Sequence, residues 1–333
     1  MHAQNPLAKS AAEIVKGDQK VMTISEAEVM RLLDLQELLD ALADGFRALA
    51  RNEIQTPYRP EITVPGKGFL LSMPAWRPGS SMMVKMVCVF EGNLTQDLPS
   101  HLAMINLFDE ATGMPLCVMD GTYITGIRTS AAAVLSVREL ARPDAKVATI
   151  VGAGVQGREH LRLLPLVRDF DEILVSSLYF DDAEKLARMH PKARAVDNVE
   201  LAVRESDVVC LCSHSYLPVI QSAWVRPGTH VSSVGYTPSP GELPAELVRD
   251  HSLFVEDRAA FEPQPVGCAE LQGLAPSSAT RLGDMLLGKA AGRTDERQIT
   301  VYKAMGIAME DLVAAELVYR RALAQGLDSA AVF

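Results

Sequence analysis

The sequence predicts an α/β protein in two parts, a parallel doubly wound sheet and a smaller α+β part that it interrupts. Three observations carry that expectation. From Lys146 onward, short apolar strands alternate with helices, the order that produces a parallel sheet with crossovers. A glycine turn, Gly152-Ala153-Gly154-Val155-Gln156-Gly157, stands between one such strand and the helix after it. Before Lys146 the pattern differs: short strand-like pieces broken by Pro and Gly, framed by helices. A length of 333 residues also favours two domains.

Taken in order, residues 1–19 read as a loosely docked tail without the apolar core of a signal peptide. Ile24–Asn52 reads as a helical region, with Leu32, Leu35, Leu38, Leu39, Leu42, Phe46 and Leu49 recurring at spacings of three and four. Strands follow at Glu61–Val64, Gly68–Pro74, Met82–Glu91, His101–Phe108 and Leu116–Asp120. The turn Glu110-Ala111-Thr112-Gly113 joins the last two as a hairpin. Ile124–Leu140 is rich in helix formers. The alternating part then gives strands at Val147–Val151, Ile173–Leu178, Val208–Cys212, His230–Val234, Leu253–Glu256 and Ile299–Lys303. Its helices are Val155–Val167, Asp182–Met189, Val199–Ser206 and, roughly, Ala279–Leu287. A last helix, Gly306–Ala324, lies outside this alternation and is expected to return to the first part. The expected division is therefore 20–125 with 306–333, and 126–305 between them.

The glycine turn has the form a dinucleotide needs. Gly152 allows the tight turn, Gly154 lets backbone N–H groups approach a pyrophosphate, and Gly157 lets the helix pack close to the strand. The diphosphate then sits at the positive end of the helix dipole. Composition narrows the partners. With 32 Lys and Arg against 42 Asp and Glu, the net charge of −10 disfavours a nucleic acid. No apolar run approaches the roughly 18 residues of a membrane span. Cys88, Cys117, Cys210, Cys212 and Cys268 are scattered and mostly within apolar runs. They read as buried thiols of a cytoplasmic protein, with no metal-like spacing.

Four cations stand where burial or a turn is expected. Arg59 lies between two prolines in TPYRPE. Lys85 is the one charge in SMMVKMVCVF, where an unpaired lysine is costly if buried. Arg128 reads as opening the helix RTSAAA, an unfavourable end for a cation unless an anion binds there. Lys303 lies in TVYKAMG and reads as either solvated or functional. Arg59, Lys85 and Arg128 together would suit an α-carboxylate, with Arg128 offering a bidentate fork. Spacing does not show that the three converge.

The chain resembles the ornithine cyclodeaminase/mu-crystallin family. The resemblance rests on MPAW (73–76), MMVKMV (82–87), LPSHLAMINLFDEATGMPLCVMDGTYITGIRTSAAA (98–133), VGAGVQG (151–157), HVSSVG (230–235), GRTDERQITVYKAMGIAMEDL (292–312) and VYRRA (318–322). It implies a homodimer built from a discontinuous α+β substrate-binding and dimerisation domain and a Rossmann dinucleotide-binding domain. It assigns Arg59, Lys85 and Arg128 to the substrate carboxylate. Ser100 falls near the cofactor, and Thr129, Val155 and Gln156 at the pyrophosphate, beside Gly152, Gly154 and Gly157. Ser177 falls at the ribose, and Ser213, Val234 and Gly235 near the nicotinamide; Arg128 and Lys303 join the expected cofactor contacts.

Two departures matter. Cyclodeaminases of this pattern carry Asp two residues after the Val-Gly dipeptide; here that place is Thr237. A Thr hydroxyl cannot serve as the base for ammonia loss. Residues 177–179 read Ser-Leu-Tyr, with neither an acid for a ribose 2′-OH nor an Arg for a 2′-phosphate. The expectation is an NAD(P)H-dependent reductase of a cyclic ketimine carboxylate or of an imine formed from a 2-oxo acid, with a slight lean to NADP. Lys85 moves the proton at the imine nitrogen and Thr237 orients. The alternatives are a cyclodeaminase that recycles NAD internally and a non-catalytic NADPH-dependent binder of a small ligand.

Overall fold

The computed structural model describes residues 20–332 apart from 58, 97, 237–239, 265, 328 and 329. Two sheets organise the chain. The first contains β1 (Lys20–Ile24), β2 (Glu61–Val64), β3 (Gly68–Ala75), β4 (Met82–Val89), β5 (His101–Phe108), β6 (Pro115–Asp120) and, from the far end of the chain, β15 (Ala330–Val332). Their order is β15-β1-β6-β5-β4-β3-β2. All neighbours pair antiparallel except β1 and β6. On its inner face Met73, Lys85, Ile105 and Met119 lie opposite one another in register, a row of apolar side chains with one charge in it.

The second sheet is parallel throughout. It contains β7 (Val147–Val151), β8 (Glu172–Ser176), β9 (Ala193–Ala195), β10 (Val208–Leu211), β11 (His230–Ser233), β12 (Ser252–Val255), β13 (Ala279–Arg281) and β14 (Thr300–Lys303). The order β13-β12-β14-β11-β10-β7-β8-β9 shows the chain winding outward from β7 to β9, then returning to β7's other side. The strand order thus reverses between β7 and β10, the place where α/β sheets open a crevice at their carboxyl ends. Continuous burial along β10, β11 and β14 fits a sheet covered on both faces.

The helices are α1 (Glu26–Leu32), α2 (Leu35–Ala50), α3 (Thr122–Leu140), α4 (Val155–Val167), α5 (Phe180–Ala187), α6 (Val199–Glu205), α7 (Ala245–Asp250), α8 (Leu282–Leu286) and α9 (Ala308–Ala324). α3 is buried nearly all round and packs on α4 and β11 as well as on α2 and α9, so it joins the two sheets. Arg168 Nη2 donates to the terminal carbonyls of α3 at Arg138 (3.0 Å), Val137 and Ala141 (3.4 Å each). α9 returns to the first sheet, packing on α2, β3 and β4. Gly45 permits that approach, since a Cβ there would lie 2.4 Å or so from the thioether of Met309.

The structure corrects several expected elements. The single helical region at 24–52 is the end of a strand and two helices. Ser25 and Glu28 form a capping box at the first helix, and Asp34 accepts from Glu37 N (2.9 Å) at the second. Ala279–Arg281 is an edge strand, which leaves only five helical residues of the expected Ala279–Leu287 helix. Arg128 does not open a helix: α3 begins at Thr122, so the guanidinium stands well inside it and the dipole argument does not apply. β1, β9, β15 and α7 were not expected at all. All five cysteines are free, and four are buried.

Candidate active site

The glycine turn follows β7 at the crevice between β7 and β10. Gly152 has φ 117°, and a Cβ there would lie 2.5 Å from Cys212 O at the end of β10. Gly152 N donates to Ser176 O (2.8 Å), tying the turn to β8. A Cβ on Gly157 would collide with Gly152 O, so helix and turn touch backbone to backbone. Gly154 has open space where its Cβ would be. As N-cap of α4 it supplies no side-chain cap, which leaves the first N–H groups of the helix for an anion. The Gln156 side chain turns toward α3, accepting from Ser130 Oγ (2.8 Å) and donating to Gly126 O (3.3 Å). Thr129 Oγ1 donates to Thr125 O within α3 (2.9 Å). Ser177 is half-buried just past β8, beside exposed Leu178 and Tyr179.

On the other flank of the crevice, one buried carboxylate organises Ser213 and Gly235. Glu242 accepts from Ser213 N (2.8 Å), Ser213 Oγ (2.6 Å), Ser233 Oγ (2.9 Å) and Gly235 N (2.7 Å). Four donors occupy it, so it has no lone pair free to act as a base. Lys303 is fully buried, not solvated. It pairs with Glu270 (3.1 Å) and donates to Ser233 Oγ (3.2 Å) and Gly235 O. Lys303 is therefore a buttress behind the Gly235 turn in this structure. Thr237 lies outside the described residues.

Of the three cations of the expected carboxylate clamp, Arg59 and Arg128 meet at Gly306 before α9, and Lys85 and Arg128 meet at Asp311 in its first turn. Lys85 Nζ lies 2.8 Å from Asp311 Oδ2, an ion-pair distance. Arg128 donates to Asp311 through Nε (2.9 Å) and to Glu310 through Nη1 (2.6 Å). Arg59 donates to Gly306 O (3.2 Å) and Val266 O (2.9 Å), and its guanidinium lies 5.3 Å from the centre of the Tyr236 ring. Gly306 has φ 76°, and a Cβ on it would approach Arg128 Nη1 to 2.9 Å, so the two arginines flank one glycine. Among the described residues Arg59 meets carbonyls and Tyr236, leaving its charge without a carboxylate. It also lines a cavity of about 240 Å³ with Met73, Met305, Gly306 and Ile307.

Burial, and then the Arg128 charge, pull the Lys85 ammonium down to about 8, against the opposing pull of Asp311 and Glu310. Burial opposes the charge of Arg128 too, but Asp311 and Glu310 more than offset it and raise its pKa. Ser100 Oγ lies 3.1 Å from His101 Nδ1. His101 is lowered to about 4, first by desolvation and then by the charges of His214, Lys85 and Arg128, so it faces the same field. Glu256, Glu310, Asp311 and His101 were not assigned roles from sequence. The last two carboxylates lie in the quoted MEDL run, which marked them as part of a motif without showing what they touch.

Residues 19–326 match the model of the "Ornithine cyclodeaminase/mu-crystallin family". The chain belongs to that family. "Ketimine reductase mu-crystallin" of Mus musculus is 33% identical over 285 residues, covering 84% of this chain and 90% of its own. The solved Thermococcus litoralis Delta(1)-pyrroline-2-carboxylate reductase, in complex with NADH and L-proline, superposes with a TM-score of 0.86 at 31% identity. It covers 94% of this chain and 100% of its own. An archaeal alanine dehydrogenase dimer with bound NAD gives a TM-score of 0.84 at 28% identity, over 95% and 100%. A Rossmann unit with a second, α+β unit is thus the fold of the family and of this chain.

Replacing Arg128 tests the clamp. Arg128→Ala is expected to lower kcat/KM for an imine carboxylate by about 100-fold or more, through loss of a charge-assisted bidentate contact in a desolvated site. Arg128→Lys keeps the charge beside Glu310 and Asp311, so it separates loss of function from loss of fold. Wild-type kinetics in both variants would remove Arg128 from the site.

Proposed function

We propose that the protein is an NAD(P)H-dependent oxidoreductase that reduces the C=N bond of a cyclic ketimine carboxylate, or of an imine formed from a 2-oxo acid, to an amino acid. The observation that supports it most is the meeting of Arg59, Lys85 and Arg128 at Gly306 and Asp311. A nicotinamide dinucleotide, when bound, supplies the hydride. The turn 152–157 and the N-terminus of α4 hold its pyrophosphate, with Thr129, Ser100, Ser177, Ser213, Val234 and Gly235 along its length. Arg59 and Arg128 hold the substrate carboxylate and so orient the imine carbon. Lys85 Nζ gives its proton to the imine nitrogen as the carbon accepts the hydride, which leaves an amine and a neutral lysine. Solvent restores the lysine's proton after release.

A cyclodeaminase reading ranks second. It needs a carboxylate free to take a proton; Thr237 stands at the family's position for one, and Glu242 is held by four donors. The non-catalytic binder ranks third, since the clamp cations are all in place. One assay separates the three: cyclic ketimine carboxylates, and 2-oxo acids with ammonia or methylamine, run with NADH and NADPH across pH. Expected are net dinucleotide oxidation and negligible ammonia release from ornithine. With Lys85 near 8, kcat/KM for reduction is expected to hold below that pH and fall above it, as the acid is lost from free enzyme. Efficient formation of proline from ornithine would install the lyase reading. Absence of turnover with every imine would install the binder, and a profile flat through that range would take Lys85 out of proton transfer.

The ribose end favours weak discrimination between the two dinucleotides with a lean to NADPH, because no carboxylate at 177–179 repels a 2′-phosphate. Ser177→Asp is expected to shift the ratio of kcat/KM values toward NADH. A wild-type preference for NADH above about 100-fold, roughly 2.7 kcal/mol, would show that an acid elsewhere reads the ribose.

A homodimer through the outer face of the first sheet completes the reading. There Ile62, Leu70, Cys88 and Leu102 form a row in register, and Ile62 and Leu102 are 67% and 42% exposed. Met82 and Met104 are exposed on the same face. A sheet apolar on both faces needs a cover, and a second copy supplies one of matching shape. Sedimentation of the wild type is expected to give twice the mass of the chain, and Leu102→Asp the mass of one. A monomeric wild type would reject this interface.

A further inference from the structure

Two glutamates from different elements meet behind the clamp. Glu256 follows β12 and is 1% exposed; Glu310 lies in the first turn of α9 and is 0% exposed. Glu256 accepts from three donors, which leaves one of its four lone-pair sites. Its Oε2 accepts from Met305 N (3.0 Å) and Gly306 N (2.7 Å), and its Oε1 accepts from Tyr302 Oη (2.9 Å). Glu310 Oε2 accepts from Arg128 Nη1 (2.6 Å). Glu310 Oε1 is buried and meets no donor among the described residues, while the side chain lies within hydrogen-bonding reach of the Glu256 carboxylate. Two carboxylate oxygens form such a bond only with a proton between them.

We propose that Glu310 is a neutral carboxylic acid that donates to the Glu256 carboxylate through one oxygen and accepts from Arg128 through the other. The pair then acts as a positioning device that fixes the guanidinium and the Gly306 turn. Glu256 is the anion because three donors point at it. Charge balance favours the same placement. Lys85 from β4 and Arg128 from α3 face Glu310, as do Asp311 on its own helix, Tyr302 from β14 and Glu256. With Glu310 neutral, Lys85 and Arg128 meet the two anions Asp311 and Glu256, which leaves the charge of Arg59 for a substrate carboxylate. An ionised Glu310 would add a third anion directly behind a site that must attract a carboxylate. Burial, and next the Glu256 charge, hold the Glu310 carboxyl well above the ordinary range.

Glu310→Gln reproduces this arrangement, with amide oxygen toward Arg128 and NH₂ toward Glu256; Glu310→Ala does not. The kinetic arm rests on the reductase reading. Glu310→Gln is expected within about threefold of wild type in kcat/KM, whereas Glu310→Ala raises KM for the imine carboxylate about tenfold or more and leaves the dinucleotide KM unchanged. Infrared spectroscopy of the wild type at neutral pH is expected to show a deuterium-sensitive protonated-carboxyl band that Glu310→Gln removes. Glu310→Gln as impaired as Glu310→Ala, Glu310→Gln that fails to fold, or a wild type without that band would each overturn the proposal. Should the wild type reduce no imine, the infrared band and the thermal melting of Glu310→Gln still decide it.

Discussion

Asp311 holds Lys85 and Arg128 at once, and much of the architecture follows from that demand. Lys85 stands in an apolar row of the first sheet, and Arg128 stands on the buried helix that joins the two sheets. A buried cation left alone is costly, and breaking a buried pair costs about 3–5 kcal/mol because a charge is stranded. Neither element carries the answering charge. It comes from α9, at the far end of the chain, which has to come back across the first sheet to deliver it. The discontinuity of that unit is therefore tied to its chemistry: cations and counter-ion arrive from three separated segments, so the site exists only when both sheets are assembled around α3.

Carboxylates do the same kind of work around the rest of the cleft. Glu242 gathers the ends of β10 and β11, and Glu256 gathers the turn before α9, each by accepting backbone N–H groups and hydroxyls. Charge-assisted bonds of this sort are stronger than neutral ones, and they fix loops that would otherwise move. The surfaces a flat dinucleotide and a small anion need are set before either arrives, which is where enzymes gain most from fixed dipoles. A carboxylate fully occupied as a buttress, as Glu242 is, cannot accept a substrate proton.

The parts legible in the sequence were those with local causes. The glycine turn declared itself because Gly152 and Gly157 answer steric demands within a few residues of themselves. Strands β7, β8, β10 and β12 of the parallel sheet were readable because burial makes them mostly apolar. Arg59, Lys85 and Arg128 stood out as charges in the wrong company. What escaped had distant causes. The break at Asp34 is a matter of capping inside an unbroken apolar period. The edge strands β9 and β13 are three residues long and exist only beside a neighbour. The dipole reading of Arg128 failed because α3 starts earlier than its helix formers suggest. The roles of Glu256, Glu310 and Asp311 were invisible because each is defined by a residue 40 or more positions away, and a motif marks such residues without pairing them.

The low affinity of Lys85 for its proton follows from the same arrangement and suits the proposed reaction. Asp311 lies at ion-pair distance, and Lys85 shares that one counter-ion with Arg128. Burial and Arg128 then bring it to about 8, near the working range of a general acid. A substrate carboxylate entering between Arg59 and Arg128 adds a negative charge close by, and a negative charge favours the protonated lysine. Linkage makes the effect mutual: the protonated lysine strengthens binding of the anion as much as the anion strengthens protonation. In the reductive direction, substrate binding therefore loads the proton that the imine nitrogen will take. The amino-acid product carries the same carboxylate, so the coupling acts on both sides of the reaction and sets its pH dependence, not its direction.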